Sequence, residues 1–367
     1  MSEPTSALYA RTGVCPACGG EGSWPEIKTG MYAEEGREAD QHIVHYRWVR
    51  PDVPPLHPPF YALASCAKCG YTDFKEEFFE PARSREGRAG LLAPRLKTET
   101  SRRGSAIAAL RQSGRPGPLD FPGALRLHLL AIAIQELMPE DRRDHLRLAR
   151  FYLRTAWLFR EQGGAGQPTV AEDARLAALD QCAAALRDLR GASERLTSAV
   201  AGAPGAPAAA DFVRHLEAFG QRYLDLRTRL LDHGTVGGAR PAPLAFLLQV
   251  RADWPAVPAT EAACLGAAVQ AFERVYQQGE GDSVALLKLM IELNYRLGRI
   301  DRVLEYAASM SKTGQEERLR LQRQLDTDRA LTPEERTKLT VRINRLSATL
   351  QVAAEIRKDA LGRQQAA

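Results

Sequence analysis

Two cysteine pairs, each followed at once by glycine, are the feature that most constrains this chain. They are Cys15-Pro-Ala-Cys18-Gly and Cys66-Ala-Lys-Cys69-Gly. A C-x-x-C turn that ends in glycine presents two sulfurs ~3.8 Å apart, the edge of a sulfur tetrahedron around zinc with bonds of ~2.3 Å. One such turn arises often by chance, but two matched turns do not. The spacing predicts one Zn²⁺ bound by four thiolates, with Cys15, Cys18, Cys66 and Cys69 as ligands.

The long gap between the pairs is compatible with a shared ion. Forty-seven residues separate Cys18 from Cys66, and closing a loop of that length costs ~3.4 kcal/mol. A structural zinc ion contributes ~10 to 16 kcal/mol of apparent binding free energy, which is much more. Because all four positions are taken by thiolate, no position is left for a water nucleophile. The predicted site is therefore structural, with no catalytic residues.

Two alternative interpretations of the cysteines stay open. His42, His45 and His57 lie between the pairs, where they can complete an open metal site. The C-P-A-C pair also resembles the dithiols of oxidoreductases. The strand and helix pattern of a thioredoxin fold does not surround it, so a redox role would take the form of zinc release on oxidation.

The chain is predicted to be cytoplasmic and not to enter a membrane. Its N-terminus, MSEPTSALYARTG, lacks the basic segment and apolar run of a secretory signal. The longest apolar run, 127–134, is far shorter than the ~20 residues that span a bilayer. Thiols stay reduced in the cytoplasm, which favours metal ligands over disulfides.

Residues 1–80 are predicted to form a small β module, the zinc ribbon. The segment 42–49 alternates so that Val44, Tyr46 and Trp48 share one face, and 61–65 can form another strand. The proline-rich segment 51–60 between them favours an extended connector over a helix.

Residues 81–118 are predicted to be a basic linker with one short helix near 105–111. Residues 83–115 carry nine basic and two acidic side chains, whereas residues 1–82 carry seven and twelve. Nucleic-acid binding through the linker is an alternative function, with candidate phosphate contacts at Arg102, Arg103, Arg111 and Arg115. The acidic ribbon argues against it.

Residues 119–312 are predicted to be a tetratricopeptide-like helical-repeat or bundle domain. One helix is expected after Asp120, with Pro122 in its first turn and Pro139 at its end, and a second from Glu140 to about Gly163. Further helices are expected near 170–199, 208–232, 258–278, 282–297 and 300–311. The segment 283–298 has two apolar stripes, as a helix between two neighbours requires, and Gly298 starts a tight turn into the next helix. This domain is predicted to bind a protein partner.

Residues 313–367 are predicted to form a helical hairpin from segments 314–329 and 333–362. Thr332-Pro-Glu-Glu335 has the pattern of a capping box, and apolar residues follow at spacings of three and four. A homodimer through these helices is the alternative to an antiparallel hairpin within one chain.

Other motifs of enzymes are not found in the sequence. It contains no phosphate-binding glycine loop, no H-E-x-x-H and no nucleophile elbow. Cys182 and Cys264 fall on apolar helical stripes and are predicted to be core residues. The chain is therefore predicted not to be an enzyme.

The cysteine region resembles the bacterial domain-of-unknown-function family 2225. The residues that carry the resemblance are the Cys-Pro-x-Cys pair, the phrase His-Pro-Pro-Phe-Tyr at 57–61, and Cys-x-x-Cys-Gly-Tyr followed by acidic and aromatic residues to Phe78. The resemblance implies that the four paired cysteines are the functional positions. It also implies tetratricopeptide-like helices after the ribbon, matched by 156–163 and 293–298. It implies no activity.

These observations predict a mainly α protein with a small N-terminal zinc ribbon. The expected function is that of a non-enzymatic zinc-binding adaptor or scaffold for protein–protein interaction. A nucleic-acid-associated zinc-ribbon protein and a redox-responsive zinc switch are the alternatives.

Overall fold

The computed structural model describes residues 6–50, 53, 55–79, 88–111, 118–161, 245–279 and 283–366, and part of 188–220. Most of the predicted helix at 170–199 and residues 221–232 of that at 208–232 lie outside the described residues, as do Cys182 and Arg115, whereas 210–215 and 217–220 are helical as predicted.

The N-terminal region contains three antiparallel hairpins among the described residues. Strands β1 and β2 flank the first cysteine pair, β5 and β6 flank the second, and the β3–β4 hairpin is inserted between them. The strands are β1 (Leu8–Val14), β2 (Glu21–Ile27), β3 (Tyr32–Arg37), β4 (Ile43–Trp48), β5 (Leu63–Ser65) and β6 (Thr72–Phe74). Each cysteine pair therefore lies in the loop that closes a hairpin.

The predicted strands in this region are confirmed, with one boundary shifted. The alternating segment 42–49 forms β4. The expected strand at 61–65 begins only at Leu63, because Pro58–Tyr61 form a 3₁₀ turn with proline in its first positions. Proline is tolerated there, since the first turn of a helix needs no amide donor.

The prediction of a linker at 81–118 differs from the structure, which has two packed helices there. Helix α1 (Glu76–Phe79) ends the β region, and α2 (Arg88–Ser101) and α3 (Ala106–Arg111) follow. Leu92, Leu96 and Leu110 are fully buried. Pro94 lies inside α2, but burial of the face that carries Leu92 and Leu96 outweighs its low helix propensity. Only the short helix near 105–111 was expected.

Helices α4 (Phe121–Glu136) and α5 (His145–Glu161) form the centre of the molecule. The Asp120 side chain caps α4 by accepting from the Gly123 amide at 2.9 Å, with Pro122 in the first turn as predicted. The expected start of α5 at Glu140 is wrong. Glu140–Arg142 form a separate 3₁₀ turn, and Asp144 caps α5 by accepting from the Arg147 amide.

The remaining helices run to the C-terminus. They are α6 (Ala245–Asp253), α7 (Glu261–Gln277), α8 (Ser283–Arg296), α9 (Ile300–Thr327) and α10 (Pro333–Ala366). The tight turn between α8 and α9 at Gly298, with φ of 69°, is confirmed. The expected break near residue 312 is wrong, because α9 is continuous and Gly314 provides room for Leu350 of α10.

Helices α9 and α10 form the predicted antiparallel hairpin. Arg342 pairs with Glu317 at 2.6 Å, and Gln364 donates to Asp301 at 3.0 Å. The Thr332 hydroxyl accepts from the Glu335 amide, which confirms the capping box. A homodimer through these helices stays a prediction.

One buried apolar cluster joins the β region to the helices. It contains Trp24, Leu63 and Tyr71 together with Leu110 of α3 and Leu129 of α4, and it extends to α9. The fold class is thus confirmed as mainly α with a small β module at the N-terminus. The proposed division into domains stays a prediction. Across the described helices, no stretch unites the length and the apolar character that a membrane crossing requires.

Candidate metal centre

The two cysteine loops have the same backbone geometry. In the first knuckle (15–20), the Gly19 amide donates to the Cys15 carbonyl at 2.8 Å, and the Cys15 amide donates to the Gly20 carbonyl at 2.9 Å. In the second knuckle (66–71), Gly70 and Tyr71 make the equivalent bonds with Cys66 at 2.7 and 2.8 Å. Gly19 and Gly70 both have left-handed φ values, 69° and 81°. This explains the glycine after each pair, because other residues adopt that conformation at a cost.

The four sulfurs converge although the pairs lie far apart in sequence. Cys15 Sγ lies 3.6 Å from Cys69 Sγ, and Cys18 Sγ lies 3.7 Å from Cys66 Sγ. All four sulfurs lie within 4.8 Å of one another. A metal ion held by four thiolates has sulfur–sulfur edges of ~3.8 Å, so the residues fit such an ion. The four predicted ligands are therefore brought together.

Hydrogen bonds among the sulfurs determine the direction in which the pKa shifts for three of these thiols. Cys15 and Cys66 are buried, whereas Cys18 is exposed. Hydrogen bonding to Cys66 raises the pKa of Cys15 to about 12, and hydrogen bonds from Cys15 and Cys69 lower the pKa of Cys66. The pKa of Cys69 is raised by its hydrogen bonds to Cys15 and Cys66. Four adjacent thiolates repel one another, so they require a nearby cation.

The second knuckle is attached to the helices by two arginines. Arg111 of α3 donates to the Lys68 carbonyl at 3.2 Å. On the other side, the Tyr71 hydroxyl donates to Asp73 at 2.7 Å, and Asp73 pairs with Arg147 of α5 at 2.6 Å. Arg147 also pairs with Glu77 and Asp144. Asp73 and Arg147 were not predicted, because no local pattern links residues 74 positions apart.

The structure places the three candidate histidines away from the cysteines. His42 and His57 both contact Glu161 at the end of α5, and His45 is exposed on β4. Among the described residues, the only group of metal-ligating side chains whose donor atoms converge is the four cysteines. An open site completed by these histidines is therefore not formed.

The candidate arginines of the basic segment differ in their contacts with the rest of the protein. Arg102 pairs with Glu99 at 2.7 Å and with Asp253 of α6 at 2.6 Å. Arg111 is directed at the second knuckle. Arg103 is exposed. Two of the four candidate phosphate contacts thus serve the fold instead.

Cys264 is a core residue, as predicted. It is fully buried in α7, and burial raises its pKa well above the ordinary value. A thiol in such surroundings is inert as a nucleophile.

The fold and the cysteine geometry define a helical protein with an N-terminal four-cysteine module suited to holding a metal ion. The chain belongs to the family described as "Uncharacterized protein conserved in bacteria (DUF2225)", whose model matches residues 8–191. No curated protein and no solved structure matches the chain.

Proposed function

We propose that this protein is a non-enzymatic, cytoplasmic adaptor whose four cysteines hold a structural Zn²⁺. The observation that carries the proposal is the convergence of four sulfurs, with inter-knuckle distances of 3.6 and 3.7 Å. Zinc accepts four thiolates in a tetrahedron and needs no other ligand. A site saturated with sulfur leaves no position for substrate, so its role is architectural.

The helices provide the surface for a protein partner in this proposal. They form a stack in which α5 packs on α7, α8 packs on α9, and α9 packs on α10. Stacked helices of this kind expose extended faces and resemble tetratricopeptide arrays in that respect. On the α9–α10 hairpin, Leu319 and Val341 are exposed at 52% and 51%.

Metal analysis of the purified full chain tests the zinc site. We expect one zinc ion per chain by elemental mass spectrometry. Cys66→Ser and Cys69→Ser should lose it, because three thiolates bind zinc more weakly than four. Cys264→Ala is the matched control and should retain one ion. Equal zinc content in all variants, or a wild-type chain that folds without metal, would refute the proposal.

A capture experiment tests the adaptor role and separates it from the alternatives. We expect the zinc-loaded chain to capture a protein partner. That partner should bind the chain again after both proteins have been purified and treated with nuclease. Retention on heparin that is lost on neutralising Arg103 and Arg115 would instead support nucleic-acid association. Release of zinc by dilute peroxide while the chain stays folded would support the redox switch.

A further inference from the structure

A cluster of charged side chains, distinct from the metal centre, joins the β3–β4 hairpin to the helices. We call it the histidine latch. Asp40 and His42 come from the turn of the hairpin, and both are buried. Their partners lie on α5, α7, α8 and the connector after β4. The members are Glu38, Asp40, His42, His57, Trp157, Arg160, Glu161, Glu261 and Arg296.

His42 is the central member of the latch. Its Nδ1 lies 2.9 Å from a Glu38 carboxylate oxygen, and its Nε2 lies 2.8 Å from a Glu161 carboxylate oxygen. A neutral imidazole has one N–H donor and one acceptor nitrogen, and an acceptor nitrogen repels a carboxylate oxygen. Both contacts are therefore satisfied together only by the imidazolium form.

The ionisation of the neighbouring groups agrees with this geometry. Burial alone would lower the pKa of His42, but its hydrogen bonds to Glu161 and Glu38 outweigh burial and raise the pKa. For the carboxyl groups of Glu38 and Glu161 the signs are reversed. Burial would raise the pKa of each, but the hydrogen bonds with His42 lower both. Two ionised carboxylates thus face one imidazole ring.

The carboxylates around His42 outnumber the arginines that pair with them. Four carboxylates and two paired guanidinium groups meet here, while the guanidinium of Arg154 on α5 lies 6.0 Å from the centre of the Trp157 ring. Arg160 contacts Glu38, Asp40 at 2.9 Å and Glu261 at 2.7 Å, and Arg296 contacts Glu38 at 3.1 Å.

Three further titratable groups face the latch. His57 of the connector contacts the second oxygen of Glu161, Tyr46 of β4 lies near that carboxylate, and Glu292 of α8 lies near Asp40. Loss of the His42 proton leaves buried negative charge uncompensated, which is costly.

Trp157 of α5 is covered by the same hairpin turn. Its indole N–H donates to Asp40 at 3.3 Å, and its ring centroid lies 5.7 Å from that of His42. Detachment of the turn would therefore uncover Trp157 and the C-terminal end of α5.

We propose that protonated His42 holds the β3–β4 hairpin against helix α5, and that its deprotonation releases the hairpin and uncovers Trp157. The latch does not depend on the proposed zinc site. Since the pKa of His42 is raised on folding, the stabilisation is complete below the ordinary histidine value of ~6.5 and is lost as pH rises through the folded value. The released state thus forms as the pH rises above the folded-state pKa of His42.

Hydrogen exchange on the zinc-loaded full chain tests the latch. Exchange of the β3–β4 amides, corrected for intrinsic rate, is measured from about pH 6 to about pH 9. Across this pH range, we expect the equilibrium constant for opening of the hairpin to increase about tenfold for each pH unit by which the pKa of His42 in the folded state exceeds its unfolded value. In His42→Gln the hairpin should already be open at about pH 6, with no further pH dependence. His45→Gln, on the exposed side of β4, should behave as wild type.

Histidine NMR on the wild-type chain gives a second, mutation-free measurement. We expect the His42 ring to titrate above ~6.5, the ordinary value. A His42 ring that titrates at or below that value would overturn the proposal, as would hairpin exchange that is independent of pH. Equal pH dependence in wild type and His42→Gln would also overturn it.

Discussion

The two knuckles have the same backbone hydrogen bonds and the same ligand chemistry, but their surroundings differ. In the first knuckle, Cys18 and Gly19 are exposed. In the second, Gly70 is buried and Tyr71 is fully enclosed. Arg111 and the Tyr71–Asp73–Arg147 chain attach the second knuckle to α3 and α5.

This difference indicates that the two halves of the four-cysteine site are held in place by different interactions. Cys15 of the first knuckle and Cys66 and Tyr71 of the second all lie in the shared apolar core, and the second knuckle has the arginine contacts in addition. The first knuckle is linked to the second through the β1–β2 hairpin, where the Trp24 indole donates to the Ser65 carbonyl at 2.7 Å, and through the sulfurs. We therefore expect the first knuckle to depend more strongly on metal than the second.

Removal of the metal should have the largest effect on this comparison. A structural zinc ion contributes ~10 to 16 kcal/mol of apparent binding free energy, so its loss should destabilise the β region strongly. After a chelator has removed the metal, the rate of backbone-amide hydrogen exchange should rise first in residues 15–20 and later in residues 66–71. Simultaneous loss of protection in both knuckles would show that the helices do not hold the second one.

Arg147→Met should cost about 3 kcal/mol of unfolding free energy, because it leaves the fully buried Asp73 carboxylate without its cation. Urea denaturation followed by circular dichroism measures the change. Arg142→Met is the matched control, since its pair with Asp141 is exposed, and should change stability by less than about 0.5 kcal/mol. Equal effects would contradict the anchoring role of Arg147.

Gly70→Ala should be more harmful than Gly19→Ala. Both replace a left-handed glycine, which costs about 1 to 2 kcal/mol. At Gly70, the added Cβ would also lie 2.5 Å from Arg111 Cδ, so the arginine must move. Thermal denaturation of the two variants gives the comparison. Similar losses in both would indicate that Arg111 shifts without consequence.

Arg111→Met should have the smallest effect, about 1 kcal/mol, because it removes hydrogen bonds to the Lys68 and Ala67 carbonyls and keeps much of the apolar stem. Metal transfer to a chelator should become a few times faster. Arg103→Met, at an exposed position, serves as control and should transfer metal at the wild-type rate.

The cysteine site could be predicted from sequence because its signal is local. Each C-x-x-C-G turn defines its own geometry, and metal binding is the common reason for two such turns in one chain. The same holds for the Thr332 capping box and for the Gly298 turn, where a few adjacent residues determine the backbone.

The two helices of the basic segment were not predicted in full because their signal is not local. Arginine, glycine and Pro94 suggest a solvated linker, whereas the burial of Leu92 and Leu96 depends on neighbours elsewhere in the chain. The histidine latch was missed for the same reason. His42 and Glu161 lie 119 positions apart, and neither lies in a motif.

The sequence by itself determined which four cysteines converge, the class of fold and the positions of many helix ends, since these follow from short-range geometry and from apolar periodicity. Only the tertiary structure decided that one knuckle is anchored by arginines, that the basic segment is helical, and that a buried histidine lies between two carboxylates. The physical reason is that charge pairing and burial depend on distances in space, which a linear pattern does not contain.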